Sequence, residues 1–434
     1  MKFPGQRKSK HYFPVNNNDP LLIGLRPQPE AASSYIAGID QVLVDIEAKV
    51  DMQLIERYKL MKGNSTLIDD QAAHSLYQEL KENQLISGEF AGGTIGNTIH
   101  NYSTLADAES VLFGVMSKNI QVGSYAYRYL CNTSSKVNLN HLQPVEGPIG
   151  RCFTLISEDG ERTFAISKGA MDQLSPDFID KDVVQGASAL VLTAYLMRAS
   201  DGDQMTEAAL KAIEYAKQAK VPVVLTLGTR FLIESDPQWW CDFINNNVDI
   251  LAMNEEEGEA LTGFNDPLSA SEAALELCDL VLTTAGPLGL FMAGYAEDSL
   301  KRETNHPLLP GIIPEFNRYE FSRPMLKEHC VTPLKVYAHI PPFMGGPEVI
   351  RNTNGAGDAA LAALLHDLAS NDFHKINVPG SSKHVNQGLC YSSFSQICKY
   401  ANRVAYEVLA QHSPRLSHGL PEREDSLEEA YWER

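Results

Sequence analysis

The run Asn352-Thr353-Asn354-Gly355-Ala356-Gly357-Asp358 is the stretch of the chain best suited to chemistry. Its small residues let the backbone turn tightly, and the apolar stretch AALAALLHDLA behind it reads as a helix. The start of a helix leaves several N–H groups without partners, and such groups bind anions. Asp358 stands in the first turn. A carboxylate beside an anion hole suits phosphoryl transfer to a hydroxyl: the N–H groups stabilise the phosphoryl charge while the carboxylate takes the alcohol's proton. Two other readings stay open. Asp is a good helix cap, stabilising a helix by about 1 kcal/mol. Gly355 to Ala360 also fits the GxGxxA of a dinucleotide fingerprint, although PEVIRNT is a poor strand and no ribose-binding acid follows at the usual distance. The chain has no GxxxxGK[ST] phosphate loop.

Three shorter runs offer supporting groups. Gly92-Gly93-Thr94-Ile95-Gly96-Asn97-Thr98 opens a helix, either as a plain joint capped by Asn97 or as a binding turn. Asn254-Glu255-Glu256-Glu257 follows an apolar strand, at the end where α/β sheets place ligands. Its carboxylates suit Mg²⁺, directly or through water, and equally suit an acidic first helical turn. Thr284-Ala285-Gly286-Pro287-Leu288-Gly289 is a glycine turn after another strand.

These groups need a scaffold, and the apolar pattern supplies one. Ser34–Ile39, Ala187–Leu196, Val221–Leu227, Val248–Met253 and Leu280–Thr284 read as buried parallel strands. Thr206–Ala219, Ser269–Leu277 and Asp358–Ala369 read as helices between and after them, so the expected class is an α/β sheet with right-handed crossovers. Val44 to Asp51 alternates apolar and charged residues, a strand with one wet face. Cys152–Ile166 folds about Asp159-Gly160 as a hairpin. Together they suggest a small sheet outside the main core, as a lid or as an edge extension. Residues 296–347 and 370–388 read as insertions, the first partly ordered around Leu334–Ile340.

With 36 Lys+Arg against 55 Asp+Glu, the net charge of −19 argues against nucleic-acid binding. Seven scattered cysteines without CxxC spacing favour neither a disulfide framework nor a zinc ribbon, and the histidines show no metal-ligand pattern. No apolar run is long enough to span a bilayer, and the basic start lacks the apolar core of a signal peptide. A cytoplasmic protein without a membrane partner is expected; its oligomeric state is not legible.

The order GGxxxN, NxxE after a strand, TxGxxG and NTNGAGD resembles the ribokinase-like carbohydrate and nucleoside kinases, from about Ile36 to Leu409. GIDQVLVDIEAKV, AGGTIGNT and VDILAMNEEE are most similar to the nucleoside kinases. The resemblance implies a central, mostly parallel sheet flanked by helices, with a small β-sheet lid at about 42–52 and 150–168. The kinase domain would span 34–414, between an N-terminal arm at 1–33 and an acidic tail at 415–434. It implies transfer of the γ-phosphoryl of MgATP to the 5′-hydroxyl of guanosine or inosine; adenosine, a sugar, or a silent nucleoside sensor are the alternatives. Asp358 would be the base, and Gly355, Ala356 and Gly357 the anion hole. Asp45 would clamp the ribose hydroxyls, supported by Gly92, Gly93 and Asn97. Asn254 and Glu257 would organise Mg²⁺. Thr284, Gly286 and Gly289 would line the ATP side, with Asn402 near the adenine. Relatives open the glycine motif with Asp where this chain has Asn352, which puts a monovalent cation in doubt. Asp40 and Arg198 are candidates for reading the N1–H and O6 of a 6-oxopurine, against a plainer reading as surface or strand-end charges.

Overall fold

The computed structural model describes residues 34–197, 203–308, 310–343 and 350–420. The arm expected at 1–33, residues 421–434 of the expected tail, and Arg198 lie outside the described residues.

All five expected strands belong to one ten-stranded sheet. Ile36–Ile39 lies between Ser110–Ser117 and Ala189–Thr193, and the order continues through Val223–Thr226, Ile250–Asn254 and Leu280–Thr284, all parallel. Leu112, Leu190, Val191, Val224 and Leu251 are fully buried, so the continuous apolar runs reflect helices covering both faces. The sheet then turns antiparallel through Leu290–Glu297 and Pro333–Ile340. Much of what reads as insertion therefore carries the sheet's edge. Pro333–Ile340 is a full strand whose Pro and charged residues lie where an edge tolerates them.

The second expected sheet is separate and larger than the sequence suggests. Its five strands run in the order Ser65–Leu67, Arg162–Ser167, Gly150–Ile156, Leu43–Lys49, Ile86–Ala91. Val44, Ile46 and Ala48 point into its core while their charged neighbours stay partly exposed. That strand stops at Lys49, because Asp51 caps the next helix by accepting from Leu54 N.

Three helices set the stage for the site. Thr94–Ala106 packs on Ala356–Asn377, which packs on Phe394–Leu409. The middle one runs past the expected end at Ala369, since nothing breaks it until Val378-Pro379. The chain also stays in the fold beyond 414: Arg415 and Leu416 are each 4% exposed and Leu420 packs against the core. The boundary expected there falls too early. SPRLSHGL has no periodicity, and only its contacts reveal it as part of the body.

Candidate active site

The carboxyl ends of the parallel strands share one rim, and the candidate residues gather along it. Asp40 directly follows Ile36–Ile39, and Asn254 and Thr284 end neighbouring strands as register partners. Asp45 comes from the second sheet, so the site lies where the two sheets meet.

Gly92 and Gly93 have a steric role. A Cβ on Gly92 would stand 2.4 Å from Asp45 Oδ2, and one on Gly93, whose φ is +89°, only 2.2 Å from Asp40 Oδ2. The glycines make room for two carboxylates that approach from different sheets. Asp40 is buried and accepts from Gly96 N at 2.7 Å and Gln41 N at 2.9 Å. Burial still pushes its carboxyl up to about 7, with the charge of Asp358 adding to the effect and Arg415 opposing it. Asp45 is pushed up to about 6 by burial, against the pull of Arg415 and the Cys152 thiol.

Asp358 sits in the first turn of Ala356–Asn377, behind Gly355, which has φ +79° and no capping side chain. A Cβ on Gly355 would stand 2.6 Å from Pro414 Cβ. The first N–H groups of this helix have no carbonyl four residues back within the helix. Asp358 Oδ2 accepts from Asn97 Nδ2 at 3.1 Å. Burial pushes Asp358 up to about 7, and Asp45 adds to this while Asn97 and Arg415 oppose it. Asn97, expected to support a sugar, is thus a bridge: its Oδ1 accepts from Arg415 Nε at 3.0 Å.

Asn254 and Glu257 form a capping box. Asn254 Oδ1 accepts from Glu257 N at 2.8 Å, and Glu257 Oε2 accepts from Asn254 N at 2.9 Å. Glu257 is buried and pushed up to about 7, by burial first and then by Asp358, Glu256 and Glu255. Its oxygens are engaged by the cap, yet it remains a carboxylate short of positive charge. That fits a hard cation held through water. Among the described residues no group of three or more His, Cys, Asp and Glu is placed to enclose a metal directly.

On the expected ATP side, Ala285 N donates to Gly289 O at 2.8 Å, closing a turn that holds Gly286 directly after Thr284. A Cβ on Gly289 would stand 2.1 Å from Ile340 O, and Asn402 Nδ2 donates to Pro341 O at 2.9 Å. Gly289 and Asn402 therefore meet at the end of the Pro333–Ile340 edge strand.

Asn352 has a local explanation. Its Nδ2 donates to His412 O at 2.7 Å and its Oδ1 accepts from Asn354 N at 2.9 Å. An Asp could not donate to that carbonyl, so the amide docks the C-terminal segment, and its oxygen is already engaged.

Two arginines escaped the sequence reading. Arg162, on the Cys152–Ile166 hairpin, donates through Nη1 to Thr353 Oγ1 at 2.9 Å and Asn354 Oδ1 at 2.8 Å. The hairpin is legible, but not the direction in which it folds. Arg415 reaches the rim from the C-terminal segment, and its charge opposes the upward push on Asp40. No local pattern announces it.

The comparisons agree with one another. The pfkB family carbohydrate kinase model matches residues 65–307. Guanosine-inosine kinase of Escherichia coli K12 is 66% identical over 434 residues, 100% of each chain. Among solved structures, adenosine kinase from Sinorhizobium meliloti has a TM-score of 0.63 at 21% identity, covering 89% of this chain and 97% of that chain. A probable sugar kinase from Rhizobium etli has a TM-score of 0.65 at 20% identity, covering 89% and 96%. Those two likenesses bear on the fold alone.

Proposed function

This chain belongs to the pfkB family of carbohydrate kinases, and from that premise we propose that it moves the γ-phosphoryl of ATP to the 5′-hydroxyl of guanosine or inosine, yielding GMP or IMP. The observation that carries the reading is Asp358 at an uncapped helix start, its carboxylate held by Asn97 and within reach of the charges of Asp40, Asp45 and Glu257. The 66% identity to Guanosine-inosine kinase supports the choice of acceptor.

In this reading Asp45 accepts from the ribose hydroxyls, which brings the 5′-hydroxyl to Asp358. Asp358, pushed up to about 7, is well matched to take a proton near neutral pH. The N–H groups at Gly355, Ala356 and Gly357 bind the phosphoryl oxygens as charge develops on them. Glu257, steadied by Asn254, would hold Mg²⁺ through water, and the bound ion would neutralise phosphate charge. Thr284, Gly286, Gly289 and Asn402 line the ATP side. Arg162 brings the second sheet onto the glycine motif, and closure there would exclude water as a competing acceptor.

The test is ADP release by the full chain with MgATP and guanosine, inosine, adenosine or ribose in turn. Turnover confined to guanosine and inosine is the expected result. Preference for adenosine or ribose would overturn the acceptor but keep the chemistry. Folded protein that releases no ADP with any acceptor would overturn the kinase reading.

A further inference from the structure

Arg415 is 4% exposed and belongs to none of the motifs, yet two stretches of chain, 92–97 and 129–133, grip it. Nη2 donates to Gly92 O at 3.0 Å, and Nη1 to Thr133 Oγ1 at 2.7 Å and Asn132 O at 3.3 Å. The guanidinium lies over the Tyr129 ring, 4.8 Å from its centroid. Nε donates to Asn97 Oδ1 at 3.0 Å.

The segment carrying Arg415 is itself pinned on both sides of the rim. Leu416 N donates to Asn101 Oδ1 at 2.7 Å, and Asn101 Nδ2 donates to Pro414 O at 3.2 Å, on the side of Thr94–Ala106. His412 O accepts from Asn352 and Pro414 packs on Gly355, on the side of the glycine motif. The segment thus joins the half that supplies the base to the half that would hold the nucleoside.

We propose that Arg415 is a positioning residue for the transfer step, acting on Asp358 through Asn97. An amide side chain can present either its oxygen or its NH₂ to a neighbour. A guanidinium only donates and does not lose its proton. Arg415 therefore requires the oxygen of Asn97 on its own side, which leaves the Asn97 NH₂ for Asp358. One carboxylate oxygen is fixed by that bond, and the other is left to accept the alcohol's proton. The charges that act on Asp358 are Asp45 and Arg415, with Asp40 and Glu257 coupled to it; three are carboxylates and one is Arg415. This inference rests on Asp358 being the base.

The experiment uses the full chain and two readouts. The first is the pH titration of the Asp358 carboxyl carbon by NMR without nucleotide, assigned with D358N. In R415Q its midpoint should move to higher pH, and in R415K it should stay closer to wild type. The second is turnover with guanosine: R415Q should lose about 10²-fold in kcat, the scale of a misplaced catalytic group. In an Asn97→Ala background R415Q should add little, because both act along one relay. Thr133→Val, which loosens one anchor outside the relay, should move both readouts in the same direction by less, and it decides the matter if R415Q does not fold. An unmoved midpoint, or kcat losses that add fully with N97A, would overturn the role. Should wild type phosphorylate adenosine or ribose instead, with the R415Q loss in kcat and its dependence on Asn97 reproduced on that acceptor, the acceptor reading fails and the positioning stands.

Discussion

Arg323 and Arg415 each stand beside acids whose carboxyls burial pushes up, and their surroundings differ. Arg323 donates to Cys390 O, Lys383 O and Asn371 Oδ1, tying residues 383–390 to the helix Ala356–Asn377. The carboxylate beside it, Asp367, is fully buried and its Oδ1 accepts from Tyr391 N at 2.7 Å and Ser392 N at 3.0 Å. Arg415 also donates to carbonyls, but Asp45 and Asp358 near it have little backbone help. Asp358 accepts from one amide and Asp45 has the weak donor of a thiol. Asp367, held by two backbone N–H groups beside Arg323, is architecture; Asp40, also held by backbone N–H groups, differs in standing on the rim. Carboxylates left short of donors on a rim are available to hydroxyls, and the fold bears the cost of keeping them so.

The strongest way to break this contrast is Asp358→Asn. It should lower kcat by about 10²–10⁴-fold, the range for a lost general base, with the nucleoside KM little changed. Wild-type kcat, measured by steady-state ADP release, would place Asp358 with the architectural acids. Next comes Gly93→Ala. The new Cβ would meet Asp40 Oδ2 in a backbone conformation that Ala resists, at a cost of about 1–3 kcal/mol. We expect a fall in kcat/KM of about 10-fold or more from so displaced a carboxylate. Unchanged kcat/KM in a folded variant would show that Asp40 does not need its present place.

Arg323→Met sharpens the other side. Leaving its carbonyl partners unpaired should lower unfolding free energy by about 2–3 kcal/mol, read from urea melts. Kcat below the melting range should stay near wild type, and a loss in kcat without a loss in stability would contradict the division drawn here.

How much of this was visible in sequence follows the same division. The glycine motif, the acidic helix start at Asn254 and the buried strands are local, each set by a few neighbouring residues, and each is readable as such; that Asn254 and Glu257 close a capping box there shows only in the structure. Gly92-Gly93 is readable as a turn, but its clearance for Asp40 and Asp45 depends on two strands from different sheets. Arg415 and Arg162 act through contacts far along the chain, and no periodicity or spacing encodes those. Asn352 reads as a departure from the family until His412 appears beside it. The edge strand Pro333–Ile340 was obscured by the Pro and charge that an edge tolerates.

The smallest effect concerns the stability that the under-donated carboxylates give up. Asp358 is pushed from the ordinary carboxylate range up to about 7 in the folded chain, so between those values the native state binds the proton more tightly than the unfolded state does. Stability therefore falls as pH rises through that window, the reverse of a carboxylate held by a salt bridge. Asp358→Asn removes the titration and keeps the shape. Without nucleotide, the variant should melt above wild type at pH 8 by about 1–2 °C, a small increment for a chain of this size. The difference should shrink at pH 5, where Asp358 is already protonated. Burial also pushes Asp367 up to about 6, but Asp367→Asn has a different expectation, because the lost bonds outweigh the removed titration: Asn accepts from the Tyr391 and Ser392 N–H groups less well than a carboxylate does. That variant should melt below wild type at both pH values. Calorimetric scans of the two variants at pH 5 and pH 8 test the contrast directly, and a gain in melting temperature for Asp367→Asn at pH 8 would erase it.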